Sequence, residues 1–309
     1  MKKVFIDGKA GTTGLRIYER LENRKDIEII TLSDDLRKDP TARKKAINSS
    51  DITFLCLPDD ASREAVSFAD NPDTVIIDAS TAHRTDPDFA YGFPELGKDF
   101  EDRIKSSKRI AVPGCHASGF IALVYPLVKS GLLGRDALIT CHSLTGYSGG
   151  GNKMINEYES RTSPSLLDAP RQYGITQNHK HLKEMKAITG LEYAPMFSPI
   201  VASFYSGMEV TVPLFASQLE KGGVQEIKEL YSSLYNGPLV SYTENSDEGG
   251  FLSAAALSGR DCMQISVMGN DERILLIARY DNLGKGASGA AIECMNIVLG
   301  ADKTQGLEI

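Results

Sequence analysis

The segment VFIDGKAGTTGLRIYERL, Val4 to Leu21, decides the fold. Val4 to Ile6 is a short apolar strand, and the apolar residues Leu15, Ile17, Tyr18 and Leu21 fall at spacings that fit a helix. Between them lies Asp7-Gly8-Lys9-Ala10-Gly11-Thr12-Thr13-Gly14. Glycines at 8, 11 and 14 let the backbone turn tightly, approach a pyrophosphate and pack the helix on the sheet, while the helix N-terminus attracts negative charge. The spacing is G-x-x-G-x-x-G, one residue different from the usual dinucleotide fingerprint, so the place between strand and helix carries the inference. Gly8, Gly11, Thr12, Thr13 and Gly14 are therefore candidate cofactor-binding residues.

Working outward, apolar strands are expected at Ile27 to Leu32, Asp51 to Leu57 and Thr74 to Asp78, with a helix over Ala61 to Ala69. Strands alternating with helices imply a parallel, doubly wound sheet whose ligand crevice lies at the strands' carboxyl ends. The second strand ends at Ser33-Asp34-Asp35-Leu36-Arg37-Lys38. Ser33 with Arg37 and Lys38 suits a ribose 2′-phosphate and leans toward NADPH, against the two aspartates. Arg84 follows the fourth strand, where a guanidinium can hold a phosphate or carboxylate, or simply form a surface ion pair.

The stretch AVPGCHASG, Ala111 to Gly119, carries the chemistry. An apolar strand end is broken by Pro113-Gly114, and Ser118-Gly119 leads into an apolar helix over Phe120 to Val128. Cys115 at that junction faces unpaired backbone N–H groups and the positive end of a helix dipole, which favour thiolate and can stabilise an oxyanion. Small residues at Gly114, Ala117 and Ser118 leave room for a substrate carbonyl. Beyond it the texture changes: a strand at Leu138 to Leu144, a glycine-dense loop over Thr145 to Asn152, a helix over Lys153 to Ser160 and an irregular run from Arg161 to Gln172. His179 and His181 share a face if extended, but no third ligand stands at recognisable spacing, so a general base for the thiol is preferred to a metal site. Strand-like runs at Val201 to Leu214 and Cys262 to Ile277 flank a helix at Val224 to Tyr235 and predict an α+β second domain with a mostly antiparallel sheet.

Composition narrows the partners. The 309 residues suffice for two domains, and a net charge of -7 argues against nucleic acid or an anionic membrane as the main partner. Five scattered cysteines without a C-x-x-C pair suggest neither disulfides nor zinc. The start MKKVFIDG is too short in apolar residues for a signal peptide, and no 18-residue apolar run occurs, so a soluble cytoplasmic protein is expected.

The chain resembles the short form of the N-acetyl-gamma-glutamyl-phosphate reductase family, in the group that includes aspartate-semialdehyde dehydrogenase. The likeness runs over nearly the whole length: GKAGTTG, IDASTAHR (Ile77 to Arg84), YGFPEL, VPGCHASGF, LTGYSGGG, NHKHLKEM and DNLGKGASGAA. The resemblance implies a Rossmann-type domain of residues 1–114 and 283–309, and a catalytic and oligomerisation domain of residues 115–282. It implies Cys115 as nucleophile and an H-x-H histidine as acid/base, with His181 favoured and His179 as substrate-binding or the reverse. It also implies NADP across Gly8 to Gly14, Asn282 near the nicotinamide, Arg84 and Ser118 toward an acyl-phosphate substrate, no metal, and a homo-oligomer, dimer or tetramer. Alternatives are a sister acyl-phosphate reductase acting on aspartyl or aminoadipyl phosphate, a non-catalytic nucleotide-binding regulator, and a metal-dependent hydrolase.

Overall fold

A computed structural model describes residues 1–160 and 164–309. The chain forms two compact units, Met1–Gly114 with Ala287–Glu308, and Cys115–Gly286 with Ile309.

In the first unit the elements run β1 (Lys2–Asp7), α1 (Thr12–Leu21), β2 (Ile27–Ile30), α2 (Pro40–Ser49), β3 (Ile52–Leu55), α3 (Asp59–Ser67), β4 (Val75–Asp78), β5 (Ala90–Tyr91), α4 (Lys98–Ser106) and β6 (Arg109–Ala111). The strands form one sheet in the order β2-β1-β3-β4-β6-β5, every pair parallel. β3 and β4 are buried throughout, as expected when helices cover both faces of a parallel sheet. β2 and β3 end two residues sooner than their apolar runs, β4 ends at Asp78 as expected, and β1 runs one residue beyond its expected end. α2 was not marked by apolar periodicity. It is set by its cap: Asp39 accepts from Ala42 N at 2.7 Å and Pro40 fixes the first helical residue.

The second unit holds α5 (Cys115–Ser130), β7 (Thr140–Gly146), α6 (Gly151–Ser160), α7 (Pro164–Leu167), β8 (Arg171–Gln172), α8 (His181–Thr189), β9 (Met196–Ala202), β10 (Met208–Phe215), α9 (Val224–Leu234), β11 (Val240–Tyr242), β12 (Met263–Gly269) and β13 (Arg273–Tyr280). Its sheet runs β11-β12-β13-β10-β7-β9-β8, with β11/β12 and β7/β9 parallel and the other pairs antiparallel. Of the run expected to be irregular, Arg161 to Ser163 lie outside the described residues, and the remainder carries α7 and β8. The last helix, α10 (Gly289–Leu299), belongs to the first unit and packs on α4, β4 and α1.

The helix expected from Phe120 begins instead at Cys115. Its small first-turn residues, read as a loop, are a packing requirement: a Cβ on Gly119 would lie 2.7 Å from both Tyr280 Oη and Val210 Cγ2, so α5 lies directly on β10 and β13. α5 also contains Pro126, which removes the N–H that the Ala122 carbonyl would take. The Tyr235 hydroxyl donates to that carbonyl at 2.6 Å instead, and Tyr231 does the same for Leu123.

Candidate active site

In the first unit the glycine turn follows β1. Gly8 has φ +91°, and a Cβ there would lie 2.3 Å from the Cys56 carbonyl oxygen. A Cβ on Gly14 would lie 2.4 Å from the Gly8 oxygen. Both glycines are thus needed by the turn itself. Gly11 is different: its nearest neighbour would be 3.5 Å away, and it caps α1 without a side-chain hydrogen bond. What Gly11 preserves is open access to the helix N-terminus, where an anion is favoured. Thr12 and Thr13 are the first two residues of that helix.

Beside the turn is a cavity of about 560 Å³, lined by Gly8, Lys9 and Ala10, by Leu32 beyond β2, and by Asp34, Arg37 and Lys38. Its lining also includes Asp7 and Arg43, a buried ion pair at 2.9 Å. Burial pushes the Asp7 carboxyl up, with Arg43 opposing it. Ser33 is exposed, and its hydroxyl holds the Asp35 carboxylate below the usual carboxylate range. A glycine turn, an accessible helix N-terminus, three nearby cations and a cavity of this size fit a phosphorylated dinucleotide.

The motif Ile77 to Arg84 is organised by Asp78, the last residue of β4. Its buried carboxylate accepts from Ser62 Oγ (2.8 Å), Ser80 N (2.9 Å) and Ser80 Oγ (2.8 Å), and meets His83 Nδ1 at 2.7 Å. Arg84 is nearly buried. Its Nε donates to the Val112 carbonyl at 2.8 Å and an Nη to the Ala79 carbonyl at 3.0 Å. Those two donors brace the ends of β4 and β6.

In the second unit Cys115 is the first residue of α5 and partly exposed. The Tyr280 hydroxyl sits in that helix's first turn, donating to the Cys115 carbonyl at 2.5 Å and accepting from Gly119 N at 3.0 Å. Gly286 lies close to Cys115; a Cβ there would be 3.2 Å from Cys115 Cβ. Ser118, in the same turn, is buried. α5 packs against α8, whose first residue is His181.

Near the start of these helices four rings meet. His116 lies 5.6 Å from His181 and 5.9 Å from His179 between ring centres, His179 lies 4.8 Å from His181, and Tyr173 lies 5.9 Å from His179. Phe197 closes the cluster 5.4 Å from His116 and 5.2 Å from His179. His179 Nδ1 accepts from the backbone N–H of His181 at 3.2 Å, and burial with the nearby Lys180 charge lowers its pKa. His116 is wholly buried, and desolvation assisted by His179 pushes it down to about 3, so it is neutral. Its Nδ1 meets Ser143 Oγ at 2.6 Å and its Nε2 meets Tyr173 Oη at 2.5 Å. Tyr173 is held above the ordinary phenol range by burial and by the charge of Cys115. Among the described residues no group of three or more His, Cys, Asp or Glu side chains is arranged to hold a metal ion.

Asn282 is buried and committed: Oδ1 accepts from Gly207 N at 2.9 Å and Nδ2 donates to Ser148 Oγ at 3.0 Å. It pins the glycine-dense loop that follows β7. Asp281 beside it accepts from Ser206 Oγ at 2.9 Å and Leu283 N at 2.7 Å. Sequence reasoning brought out Cys115, His179 and His181. It missed His116, Tyr173 and Tyr280, although the position of His116 next to the candidate nucleophile was a usable signal.

Comparison with known proteins follows the same division. Residues 3–105 match the family model of the semialdehyde dehydrogenase NAD-binding domain, and residues 115–282 that of the semialdehyde dehydrogenase dimerisation domain. N-acetyl-gamma-glutamyl-phosphate reductase 2 of Nostoc sp. is 43% identical, covering 99% of each chain. Aspartate semialdehyde dehydrogenase from Francisella tularensis superposes with a TM-score of 0.73 at 17% identity, over 97% of this chain and all of that one (100%). The Candida albicans enzyme of that name, solved with NADP, gives 0.67 at 14%, over 97% and 99%. The solved structures share the fold, whereas the Nostoc sequence is close along its full length, and the chain therefore belongs to the semialdehyde dehydrogenases, in the N-acetyl-gamma-glutamyl-phosphate reductase family.

Proposed function

We propose that this protein reduces N-acetyl-L-glutamyl 5-phosphate to N-acetyl-L-glutamate 5-semialdehyde, with release of phosphate, as a step of arginine biosynthesis in the cytoplasm. The observation that carries the reading is a helix-opening cysteine whose chain neighbour His116 meets the His179–His181 pair, in a chain 43% identical end to end to a reductase of that name.

The Cys115 thiolate attacks the acyl carbon, and N–H groups in the first turn of α5, which lack intrahelical acceptors, receive the developing oxyanion. The C–O bond to phosphate breaks and a thioester forms on Cys115. NADPH, when bound, supplies the hydride that reduces this acyl carbon. His181 is the acid/base: it takes the thiol proton at the outset and returns a proton as the tetrahedral adduct collapses, freeing sulfur and aldehyde. His179 serves substrate or positions His181, because its Nδ1 already accepts the His181 backbone N–H. Gly8, Gly11, Thr12, Thr13 and Gly14 hold the pyrophosphate, with Ser33, Arg37 and Lys38 toward the 2′-phosphate. Arg84 and Ser118 contribute by fixing the segments on either side of Cys115, and Asn282 by fixing the glycine-dense loop. The chain acts as a homo-oligomer through the sheet face opposite α5, where Phe215, Met196 and Leu275 are exposed.

The test is phosphate-dependent reduction of NADP by the purified protein with N-acetylglutamate semialdehyde and, separately, aspartate semialdehyde. Turnover with the acetylated substrate alone is expected, and Cys115→Ala abolishes it while NADPH still binds by fluorescence. Activity with aspartate semialdehyde alone would move the substrate assignment, and substantial activity in Cys115→Ala would remove the nucleophile.

A further inference from the structure

Three side chains with no role in the mechanism above, Ser143, His116 and Tyr173, form a hydrogen-bonded chain beside the start of α5. Ser143, on β7, is wholly buried, and among the described residues His116 Nδ1 is the one hydrogen-bond partner of its hydroxyl. A buried hydroxyl proton needs an acceptor. If Nδ1 carried the imidazole proton, the Ser143 proton would have no partner; if Nδ1 is bare, Ser143 donates to it and is satisfied. Neutral imidazole has one proton, which then sits on Nε2. Nε2–H points at the Tyr173 oxygen 2.5 Å away, so the phenol accepts from His116. Among the described residues that is the one hydrogen bond of the Tyr173 side chain, and the phenol's own proton is left to point elsewhere.

We propose that Ser143 and His116 fix the Tyr173 hydroxyl as a hydrogen-bond donor to the reacting centre at Cys115, with Tyr173 the catalytic residue and His116 the positioning residue behind it. Several features support this direction. The Tyr173 hydroxyl is 2.5 Å from Nε2 of His116, the residue that follows Cys115 in the first turn of α5, which brings the phenol beside the start of that helix. Tyr173 stays protonated, since burial and a neighbouring thiolate both oppose its ionisation. An N–H donated to the phenol oxygen polarises the O–H and strengthens it as a donor. The thiolate before attack, and the oxyanion after it, are the charges such a donor stabilises. His116, neutral and with both nitrogens occupied, is unsuited to carry protons itself and well suited to hold one orientation. This assignment rests on the Cys115 thioester reading, but its direct readout does not depend on which acyl phosphate is the substrate.

The experiment measures the rate at which iodoacetamide alkylates Cys115 in the full chain at neutral pH, followed by mass spectrometry of the Cys115 peptide, alongside kcat and KM with NADP and N-acetylglutamate semialdehyde. Loss of a donor raises the thiol pKa, and the more basic sulfur is partly more nucleophilic, so Tyr173→Phe is expected to slow alkylation about fivefold. Its kcat falls roughly 100-fold, as for loss of an oxyanion donor, with KM for NADP unchanged. His116→Asn keeps an acceptor for Ser143 but loses the donor to Tyr173, and slows alkylation two- to threefold by the same reasoning, at about half the effect. His116→Gln retains a donor of similar reach and restores most of the rate. In Tyr173→Phe the further change His116→Asn adds nothing, because His116 acts through the phenol. Wild-type alkylation in Tyr173→Phe, or multiplying losses in the double variant, would overturn the proposal. If Tyr173→Phe does not fold, the His116→Asn and His116→Gln pair decides: equal rates in the two overturn it. Wild-type protein inert toward N-acetylglutamate semialdehyde, with the alkylation pattern as expected, would remove the substrate assignment and leave this chain of hydrogen bonds standing.

Discussion

Tyr280→Phe is the substitution whose outcome the geometry fixes most closely. The hydroxyl lies inside the first turn of α5, taking the Gly119 N–H and giving its proton to the Cys115 carbonyl. It is fully buried, so water does not replace it. Removing it leaves two alternatives. If the turn stays open, a buried N–H and a buried C=O both lose their partners, at about 1–3 kcal/mol each. If the turn closes, Gly119 N–H reaches the Cys115 carbonyl, one bond replaces two, and the net loss is about 1 kcal/mol. Closing requires the backbone of Cys115 to move, so it carries the sulfur with it. A loss of about 2 kcal/mol is expected, lowering Tm by roughly 4–8 °C in a unit of this size. Differential scanning calorimetry reads the stability, and iodoacetamide alkylation reads the placement of the thiol. A small Tm shift with altered alkylation indicates closure, and a large shift with unaltered alkylation indicates an open turn. A Tm within 1 °C of wild type together with an unchanged alkylation rate would refute the reasoning, since the hydroxyl would then contribute neither support nor position.

Three further predictions follow from buried groups and one exposed face. His116, at about 3 in the folded chain against an ordinary 6.5, refuses a proton that the unfolded chain accepts. Its contribution is therefore complete above about pH 6.5 and is lost as pH falls toward 3, by up to roughly 1.4 kcal/mol per pH unit. Urea titrations should show this slope shrinking in His116→Gln, and an identical slope in both proteins would contradict a buried neutral imidazole. Tyr235→Phe orphans the Ala122 carbonyl and costs about 1–3 kcal/mol. Adding Pro126→Ala restores a helical N–H to that carbonyl and should recover at least half of the loss, which denaturant midpoints will show or deny. Phe215→Glu places a charge on the exposed sheet face, and sedimentation at matched concentration should show a shift toward monomer; an unchanged mass would place the self-contact elsewhere.

The fold was legible wherever local chemistry determined local shape. The glycine turn after β1 could be read because Gly14 packs on Gly8 and Lys9 within the turn itself, and Gly8 on Cys56 just beyond β3. The parallel sheet followed from its alternating apolar runs. α2 was hidden because its start depends on the Asp39 cap and Pro40 rather than on an apolar stripe. The start of α5 was misplaced for a related reason. Residues 114–119 have the composition of a loop, yet Gly119 is small because Tyr280, 161 residues away, needs the space.

The same distinction separates the site residues that motifs reveal from those they do not. Cys115 and the H-x-H pair are recognised because each carries its chemistry in its own side chain. Ser143, Tyr173 and Tyr280 are ordinary residues in strands and loops, and only the folded chain brings them to Cys115 and His116 across separations of 27, 57 and 165 residues. Arg84 shows a duty that its motif does not announce: its Nε and one Nη hold the backbone carbonyls of Val112 and Ala79. Sequence reading finds groups capable of a reaction. Whether such a group is available to a substrate depends on which buried carbonyls and hydroxyls have already claimed its protons, and that is fixed by packing.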